Sequence, residues 1–258
     1  MMTGSDQYHI VIPARLASER LPRKPLLDIA GQPLIEWVYR RALQANALSI
    51  VIATDSEEIR EVAEGFGATV AMTSADHQSG SDRIAECVRT MGWSRDTILV
   101  NLQGDEPLMP ADCLDQAAGL LGDFPEASAA SLYQDIADPA EAADPNAVKV
   151  VVDDEGFALY FSRSCVPYPR DHEDLVAAAA AGVRWKRHIG LYAYRAEALH
   201  AFADGAPSPL ESLEKLEQLR FLENGRRIIM AASCREIPPG VDTPGDLERV
   251  RSFLSGEG

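Results

Sequence analysis

Short apolar runs rich in β-branched residues alternate along this chain with segments that have the apolar spacing of helices. The runs predict strands at residues 9–12, 50–53, 69–72, 98–102, 188–194 and 227–232. The spacing predicts helices at 34–45, from 56 to a stop at 65–67, at 81–91, after 195, and at 208–225 and 244–254. Strands that alternate with helices form mostly parallel sheets covered on both faces. The sequence therefore predicts an α/β fold with a mostly parallel central sheet.

The middle of the chain has a different pattern. Residues 147–152 and 157–161 are rich in β-branched and aromatic residues, and the turn-forming residues 153–156 separate them. This arrangement predicts an antiparallel hairpin extension. We expect a single α/β domain over residues 1–258, with an inserted antiparallel lobe at about 135–195. The alanine-rich run at 175–182 fits a helix or a linker.

The charge balance excludes some classes of partner. The chain has 258 residues and a formal net charge of −16, whereas nucleic acids and anionic membranes are bound by surplus positive charge. It contains no apolar run of 18 residues and no basic, apolar secretion signal at its start, so we expect a cytoplasmic protein without membrane insertion. The four cysteines have neither the spacing of a metal site nor the density of a disulfide scaffold, and we expect reduced, mostly buried thiols.

A local excess of positive charge follows the first predicted strand. Arg15, Arg20, Arg23 and Lys24 lie within ten residues, with Glu19 the only acid among them. Ligands of open α/β sheets bind beyond the carboxyl ends of strands, and guanidinium groups suit phosphate oxygens. The loop therefore indicates a triphosphate site, with a solvated basic loop as the alternative. The chain has neither the P-loop pattern nor the GxGxxG pattern of dinucleotide enzymes.

Two aspartates are candidate magnesium ligands. Asp105 directly follows the predicted strand at 98–102 and belongs at the same sheet edge as the basic loop. Asp242 precedes a helix start in which Thr243 is the expected N-cap, Pro244 the first residue and Asp246 the capping acid, so capping does not explain Asp242. Mg²⁺ prefers one or two carboxylates together with phosphate oxygens. The alternatives are a turn-forming Asp105 and a structural Asp242.

Further polar residues lie at the ends of predicted elements. Residues 73–83 form a polar loop that enters a helix, suited to binding a base or ribose, with ordinary helix capping as the alternative. Arg163 and His188 lie at strand ends, where they can bind a carboxylate or hydroxyls. Taken singly, each also fits a structural role, as a surface or core residue whose polar atoms are hydrogen-bonded within the protein.

These segments together resemble one enzyme family over nearly the whole chain. The matching stretches, in family order, are IPARLASERLPRKPL, TSADHQSGSDRIAE, VNLQGDEPLMP, PNAVKVV, ALYFSR, RHIGLYAYR, SPLESLEKLEQLR and VDTPGDLERV. They resemble 3-deoxy-manno-octulosonate cytidylyltransferases, also called CMP-KDO synthetases. The resemblance implies a GT-A-like nucleotide-sugar transferase fold, a homodimer, CTP as donor, and a place in lipopolysaccharide synthesis.

The resemblance also implies roles for individual residues. The triphosphate would be held by Arg15, Ser18, Arg20 and Lys24, and the cytosine or ribose would lie near Ser79 and Gly80. Asp105 and Asp242 would bind Mg²⁺, with Lys24, Arg15 and Asp105 as the catalytic residues. The sugar-acid pocket would consist of Gln103, Arg163, His188, Tyr192, Glu217 and Gln218. The family commonly has threonine where this chain has Glu19, and glycine where it has Arg23.

The expected reaction is a magnesium-dependent transfer of CMP from CTP to the anomeric hydroxyl of 3-deoxy-D-manno-octulosonate (KDO), with release of pyrophosphate. One alternative is a cytidylyltransferase for another acidic sugar, such as 8-amino-KDO or a sialic acid. A non-catalytic nucleotide-binding protein is the alternative from another class, and the joint presence of the basic loop and both aspartates disfavours it.

Overall fold

The computed structural model describes residues 7–17, 20–77 and 79–256. The strands in these ranges are β1 Tyr8–Ala14, β2 Asp28–Ile29, β3 Gln32–Pro33, β4 Ser49–Thr54, β5 Thr69–Met72, β6 Ile98–Asn101, β7 Ala129–Ile136, β8 Lys149–Val152, β9 Ala158–Ser162, β10 Trp185–Arg195 and β11 Ile228–Ala232. The helices are α1 Leu34–Ala42, α2 Glu57–Gly65, α3 Gly80–Met91, α4 Ala111–Asp123, α5 Pro139–Ala143, α6 Leu175–Ala180, α7 Ala196–Ala203, α8 Pro209–Glu214, α9 Gln218–Glu223 and α10 Pro244–Leu254.

Within the described residues, nine strands form one sheet. The main order is β11-β7-β10-β6-β1-β4-β5, and β8 and β9 join it at β10. The pairs β1–β4, β1–β6, β4–β5 and β7–β11 are parallel, whereas β10 is antiparallel to both β6 and β7. The predicted mostly parallel sheet is confirmed, with β10 as an antiparallel strand near its centre.

The core lies on both faces of the sheet. Along β1, Ile10 and Ile12 pack into one hydrophobic cluster, and Val11 packs into a second cluster on the other side. This alternation follows from the two-residue period of a strand. All three side chains are fully buried, as expected for a strand covered by helices on both faces. None of the described helices is long and apolar enough to cross a membrane.

Local sequence signals explain where several helices begin. Ser56 caps α2, since its hydroxyl accepts a hydrogen bond from the backbone N–H of Ile59 (3.3 Å). Thr243 caps α10, where its hydroxyl accepts from the N–H of Asp246 (3.2 Å) and Asp246 accepts in return from the N–H of Thr243 (2.9 Å). The predicted helix start, with Thr243 as N-cap, Pro244 at the first position and Asp246 at the third, is confirmed.

The hairpin prediction is confirmed, because β8 and β9 pair antiparallel. The alanine-rich run contains helix α6, which settles the choice between helix and linker. β10 starts earlier than predicted and carries an irregularity between Ile189 and Tyr192. Helix α4 and strand β7 are additions to the predicted elements. The single domain with an inserted lobe at about 135–195 stays a prediction.

One predicted helix is wrong. The segment predicted as a single helix at 208–225 consists of α8 and α9, with Lys215 between them in the left-handed region (φ 55°, ψ 47°). The break lets Arg220 fold back so that its Nε donates to Glu211 Oε2 (2.7 Å) in a buried ion pair. In a continuous helix these residues would be separated by about 13.5 Å along the axis. A tertiary contact therefore overrides the local helical pattern.

Candidate active site

A crevice of about 730 Å³ opens at the carboxyl ends of β1 and β6. Its walls include residues predicted for nucleotide, metal and sugar, namely Arg15, Arg20, Lys24, Ser79, Gly80, Gln103, Asp105 and Asp242. Ser18 and Glu19 lie outside the described residues. The basic loop and both aspartates therefore meet at one edge of the sheet.

Strand pairing explains why the two loops meet. β1 and β6 are parallel neighbours, and their register ends with Val11 opposite Asn101. The loop after β6 then passes so close to β1 that a Cβ atom on Gly104 would lie 2.8 Å from the carbonyl oxygen of Pro13. Only glycine permits this approach without a shift of the backbone. Gly104 thus brings Asp105 beside the basic loop.

Lys24 lies between the two candidate metal ligands. Its ammonium donates to Asp105 Oδ2 (2.7 Å), Asp242 Oδ1 (3.0 Å) and the carbonyl oxygen of Val241 (2.9 Å). Burial alone would lower the pKa of Lys24, but Asp105 and Asp242 outweigh it and raise the pKa above its ordinary value. Lys24 is therefore a fixed positive charge, and both carboxylates face the same point in the crevice.

Two further contacts hold Asp242 at this position. The backbone N–H of Val241 donates to the carbonyl oxygen of Asp105 (2.8 Å), and Arg20 pairs with Asp242 Oδ1 at 3.2 Å. Half of the Asp242 side chain is exposed, so it remains accessible from the crevice.

The donor set fits a magnesium ion that is shared with a substrate. Two carboxylates at one point, beside side chains suited to phosphate, match the ligands that Mg²⁺ prefers. The described residues contain no group of three or more His, Cys, Asp or Glu side chains arranged to hold a metal. Coordination would thus have to be completed by other oxygens, such as those of phosphate and water.

The N-terminus of α3 forms the opposite wall. Ser79 is its N-cap, with a hydroxyl that accepts from the N–H of Asp82 (3.1 Å) and donates to Asp82 Oδ2 (2.9 Å). Gly80 follows and lies against the ring of Pro13. The N–H groups of a helix N-terminus favour polar and anionic ligand groups. Ser79 thus caps α3, as the alternative interpretation expected, and it also lines the crevice.

The predicted sugar-pocket residues other than Gln103 lie behind this wall. Glu217 accepts a hydrogen bond from the hydroxyl of Ser81 on α3 (2.7 Å), and burial raises the pKa of Glu217. The buried hydroxyl of Tyr192 has no hydrogen-bond partner in the described part of the chain. Gln218, the first residue of α9, is also buried. A buried hydroxyl without a partner is suited to a hydroxyl or carboxylate of a ligand.

His188 is held as a neutral side chain. Its ring lies edge-on against Phe161 (5.0 Å between centroids) and 5.2 Å from the ring of Tyr192. Its Nε2 is 3.1 Å from the hydroxyl of Ser131. Burial lowers the pKa of His188 to about 3, so it is uncharged at neutral pH. It can therefore bind hydroxyls by hydrogen bonds without contributing charge.

Arg163 supplies the positive charge on this side. Its Nε donates to the carbonyl oxygen of Glu214 (2.8 Å) and its Nη1 to that of Pro145 (2.9 Å). Nη2 has no partner among the described residues and is free for an anionic group. Apart from Gln103, the predicted sugar residues thus lie in or next to β9, β10 and α9, which together we call the sugar region.

Comparison with known proteins identifies the family. Residues 9–228 match the family model described as cytidylyltransferase. The chain is 49% identical over 249 residues to the 3-deoxy-manno-octulosonate cytidylyltransferase of Cellvibrio japonicus, covering 96% of this chain and 98% of that protein. It is 47% identical over 251 residues to that of Saccharophagus degradans, again covering 96% and 98%. The chain belongs to the 3-deoxy-manno-octulosonate cytidylyltransferase family.

A solved structure agrees with this membership. The CMP:2-keto-3-deoxy-manno-octonic acid synthetase complexed with CTP superposes with a TM-score of 0.87 and 41% sequence identity, covering 98% of this chain and all of that chain. The GT-A-like α/β fold of this cytidylyltransferase family is therefore confirmed for this protein.

One departure from the family pattern has a structural explanation. Arg23, one of the two expected departures from the family pattern, adopts the left-handed conformation (φ 57°, ψ 30°) that glycine adopts without strain. Its side chain points away from the crevice cations and pairs with Glu58 on α2. The arginine thus keeps the backbone conformation and gains an ion pair.

Two residues of this cytidylyltransferase were not assigned a role from sequence. Arg83 lines the crevice although its side chain is only 3% exposed, and its Nη2 donates to Asp55 Oδ2 (2.8 Å). Burial, followed by repulsion from Asp105 and Asp242, raises the pKa of Glu106 to about 8. In the sequence, Arg83 ends the polar loop at 73–83 and Glu106 directly follows Asp105. These positions are the signals by which sequence reasoning could have found both residues.

Proposed function

We propose that this chain transfers CMP from CTP to the anomeric hydroxyl of KDO and releases pyrophosphate, as a step of lipopolysaccharide biosynthesis. The contact of Lys24 with both Asp105 and Asp242, on a crevice that Arg15 and Arg20 also line, carries this proposal. The names of the similar proteins and the CTP in the similar structure support it.

In the reaction, the oxygen of the anomeric hydroxyl attacks the α-phosphorus of CTP and releases its proton to water as the bond to the pyrophosphate oxygen breaks. Negative charge then grows on the leaving pyrophosphate. Arg15 and Lys24 are the cations that stabilise this charge, and Arg20 and Ser18 help to bind the triphosphate. Ser79 and Gly80, at the N-terminus of α3, bind the cytosine or the ribose. Positioning and electrostatics provide most of the rate acceleration, as in other phosphoryl transfers.

The activity depends on magnesium. Asp105 and Asp242 would hold Mg²⁺, which when bound would neutralise charge on the triphosphate and lower the pKa of the attacking hydroxyl. Lys24 contributes directly, because its contacts with both carboxylates orient them toward one point and limit their mutual repulsion.

The sugar region binds the sugar acid. Arg163 pairs with the sugar carboxylate, while neutral His188 and the buried hydroxyl of Tyr192 bind sugar hydroxyls. Gln103 contributes from the crevice, and Glu217 and Gln218 contribute from the start of α9. Keeping His188 uncharged places the positive charge at Arg163, where the carboxylate binds.

The protein acts in the cytoplasm as a homodimer. The family resemblance of the whole sequence supports both statements. Light scattering of the purified protein at micromolar concentration tests the second, and a mass of one chain would contradict it.

The deciding experiment measures pyrophosphate release from each of the four nucleoside triphosphates with KDO, 8-amino-KDO and a sialic acid, with and without Mg²⁺. We expect release only with CTP, KDO and Mg²⁺ together. Faster turnover of another sugar acid would reassign the acceptor. Nucleotide binding without release for any acceptor would instead favour a non-catalytic nucleotide-binding protein.

A further inference from the structure

Lys149 is a fully buried lysine with an unusual set of partners. Its ammonium donates to the backbone carbonyl oxygens of Asp144 (2.8 Å) and Arg163 (2.7 Å). Burial lowers the pKa of Lys149, against the opposing influence of nearby acidic groups that include Glu214. A buried charge is costly unless it is well hydrogen-bonded, so its retention calls for an explanation beyond packing.

The position of Lys149 in the sheet connects it with two predicted sugar-binding residues. In β8, Lys149 pairs with Ser162 of β9, directly before Arg163. On its other side it pairs with Arg187 of β10, directly before His188. The segment that contributes the sugar-binding arginine is thereby fixed to the strand that contributes the neutral histidine.

Glu214 holds the same arginine from the opposite side. Its carboxylate accepts hydrogen bonds from the hydroxyl of Ser162 (2.7 Å) and the backbone N–H of Arg163 (3.0 Å). Its carbonyl oxygen accepts from Nε of Arg163 (2.8 Å). Glu214 is the last residue of α8, three residues before Glu217. Its hydrogen bonds therefore also connect the segment with Ser162 and Arg163 to the start of α9, where Glu217 and Gln218 lie.

We propose that Lys149 and Glu214 are positioning residues that hold Arg163 from two sides and thereby set the affinity for the acidic sugar. This inference rests on the proposed role of Arg163 in binding the sugar carboxylate. The geometry leaves Nη2 of Arg163 without a partner among the described residues, while Nε and Nη1 are held by carbonyl oxygens. A guanidinium that is fixed in advance loses less conformational entropy when it binds a carboxylate.

The test compares four variants, Glu214→Gln, Lys149→Met, Arg163→Ala and the double variant Arg163→Ala with Glu214→Gln. Glu223→Gln is the matched control, because Glu223 also ties α8 to α9, through the N–H of Leu210, but makes no contact with Arg163. For each protein, KM for KDO, KM for CTP and kcat are measured separately, together with the melting temperature.

We expect Glu214→Gln to raise KM for KDO by about tenfold, the cost of one lost charge-assisted hydrogen bond, and to leave KM for CTP within about twofold. In the Arg163→Ala background the same change should have little further effect, because interacting residues are non-additive. Lys149→Met should shift KM for KDO in the same direction. Glu223→Gln should leave both KM values unchanged.

Two results would overturn the proposal. If Arg163→Ala raises KM for KDO but Glu214→Gln does not, the positioning role is wrong while the role of Arg163 stands. If Arg163→Ala itself leaves KM for KDO unchanged, Arg163 does not bind the sugar and the inference fails with it. Turnover of CTP and KDO by the unmodified protein tests the proposed function independently of either result. Should Lys149→Met fail to fold, Glu214→Gln still decides.

Discussion

The two proposed substrate regions of this protein differ in how they hold charge. The nucleotide crevice is open, and its cations and carboxylates sit on loops, with Lys24 paired to Asp105 and Asp242. The sugar region lies in and next to β9, β10 and α9, and His188 within it is neutral. Several exposed charges suit a highly charged, mobile triphosphate, whereas one arginine held in place by hydrogen bonds suits the single carboxylate of a sugar acid. The comparison indicates that electrostatic strength dominates the first region and preorganisation the second.

The largest expected effect comes from removing charge in the crevice. Asp105→Asn keeps the shape of the side chain but removes a carboxylate from the proposed magnesium site. We expect kcat to fall by about 10²–10³, the usual cost of losing one strong electrostatic contribution to the transition state. Pyrophosphate release at saturating Mg²⁺ measures it, with Asp112→Asn as control, since Asp112 is exposed and pairs with Arg235. Turnover within twofold of the unmodified protein would refute the metal assignment.

The second-largest effect tests whether the crevice depends on the close approach of Gly104 to the backbone of Pro13. Gly104→Ala places a methyl group 2.8 Å from the carbonyl oxygen of Pro13, so the two loops must separate. We expect the free energy of unfolding to fall by about 1–3 kcal/mol and KM for CTP to rise. Gly119→Ala is the matched control, because it lies in α4 with open space around it and should stabilise by about 0.5–1 kcal/mol. Equal melting temperatures for the two variants would contradict this account.

Raising the salt concentration should weaken substrate binding more in one region than in the other. Because the crevice charges are partly exposed, raising NaCl from about 0.05 to 0.5 M shortens the Debye length and weakens triphosphate binding. We expect KM for CTP to rise severalfold and KM for KDO to change less, since Arg163 is partly buried. Initial rates at saturating Mg²⁺, with each substrate varied in turn, measure the two values. A larger rise for KDO would reverse the comparison.

The smallest effect concerns pH. Burial lowers the pKa of His188 to about 3, below the value of about 6.5 expected for unfolded histidine, so the unfolded state binds one more proton between these values. His188 therefore costs stability as pH falls below about 6.5, and it contributes no such dependence above it. Melting temperatures between pH 7 and 4.5 should fall less steeply for His188→Gln than for the unmodified protein. Parallel curves would show that His188 has the same pKa in the folded and unfolded states, which would contradict its burial as a neutral side chain.

Sequence reasoning identified the crevice because its signals are local. The basic loop and Asp105 each follow a buried strand, and parallel strands place such residues at one edge. The contact between Ser81 and Glu217 joins residues 136 positions apart, and no local pattern indicates it. Arg163 and His188 could be proposed from their positions at strand ends, whereas Gln103, Tyr192, Glu217 and Gln218 were assigned to the sugar acid only through the family resemblance.

The elements that sequence reasoning missed have weak local signals. Helix α4 begins after Pro110, which makes no side-chain cap, and β7 begins with two alanines, which have low strand propensity. The wrong prediction of one continuous helix at 208–225 has the opposite cause. Its local pattern is strong, but the contact between Glu211 and Arg220 breaks the helix. In both cases, contacts beyond the local pattern determine the structure.

The antiparallel strand β10 has a consequence for how the chain is assembled. It lies between β6 and β7, and it is the strand through which the two parts of the sheet are joined. During synthesis, β1, β4, β5 and β6 are complete once residue 101 has emerged, but the edge of β6 has no neighbour until residues 185–195 follow. Over that interval the nascent chain therefore has an unpaired strand edge. During this time the chain is most prone to mispairing and most dependent on chaperones.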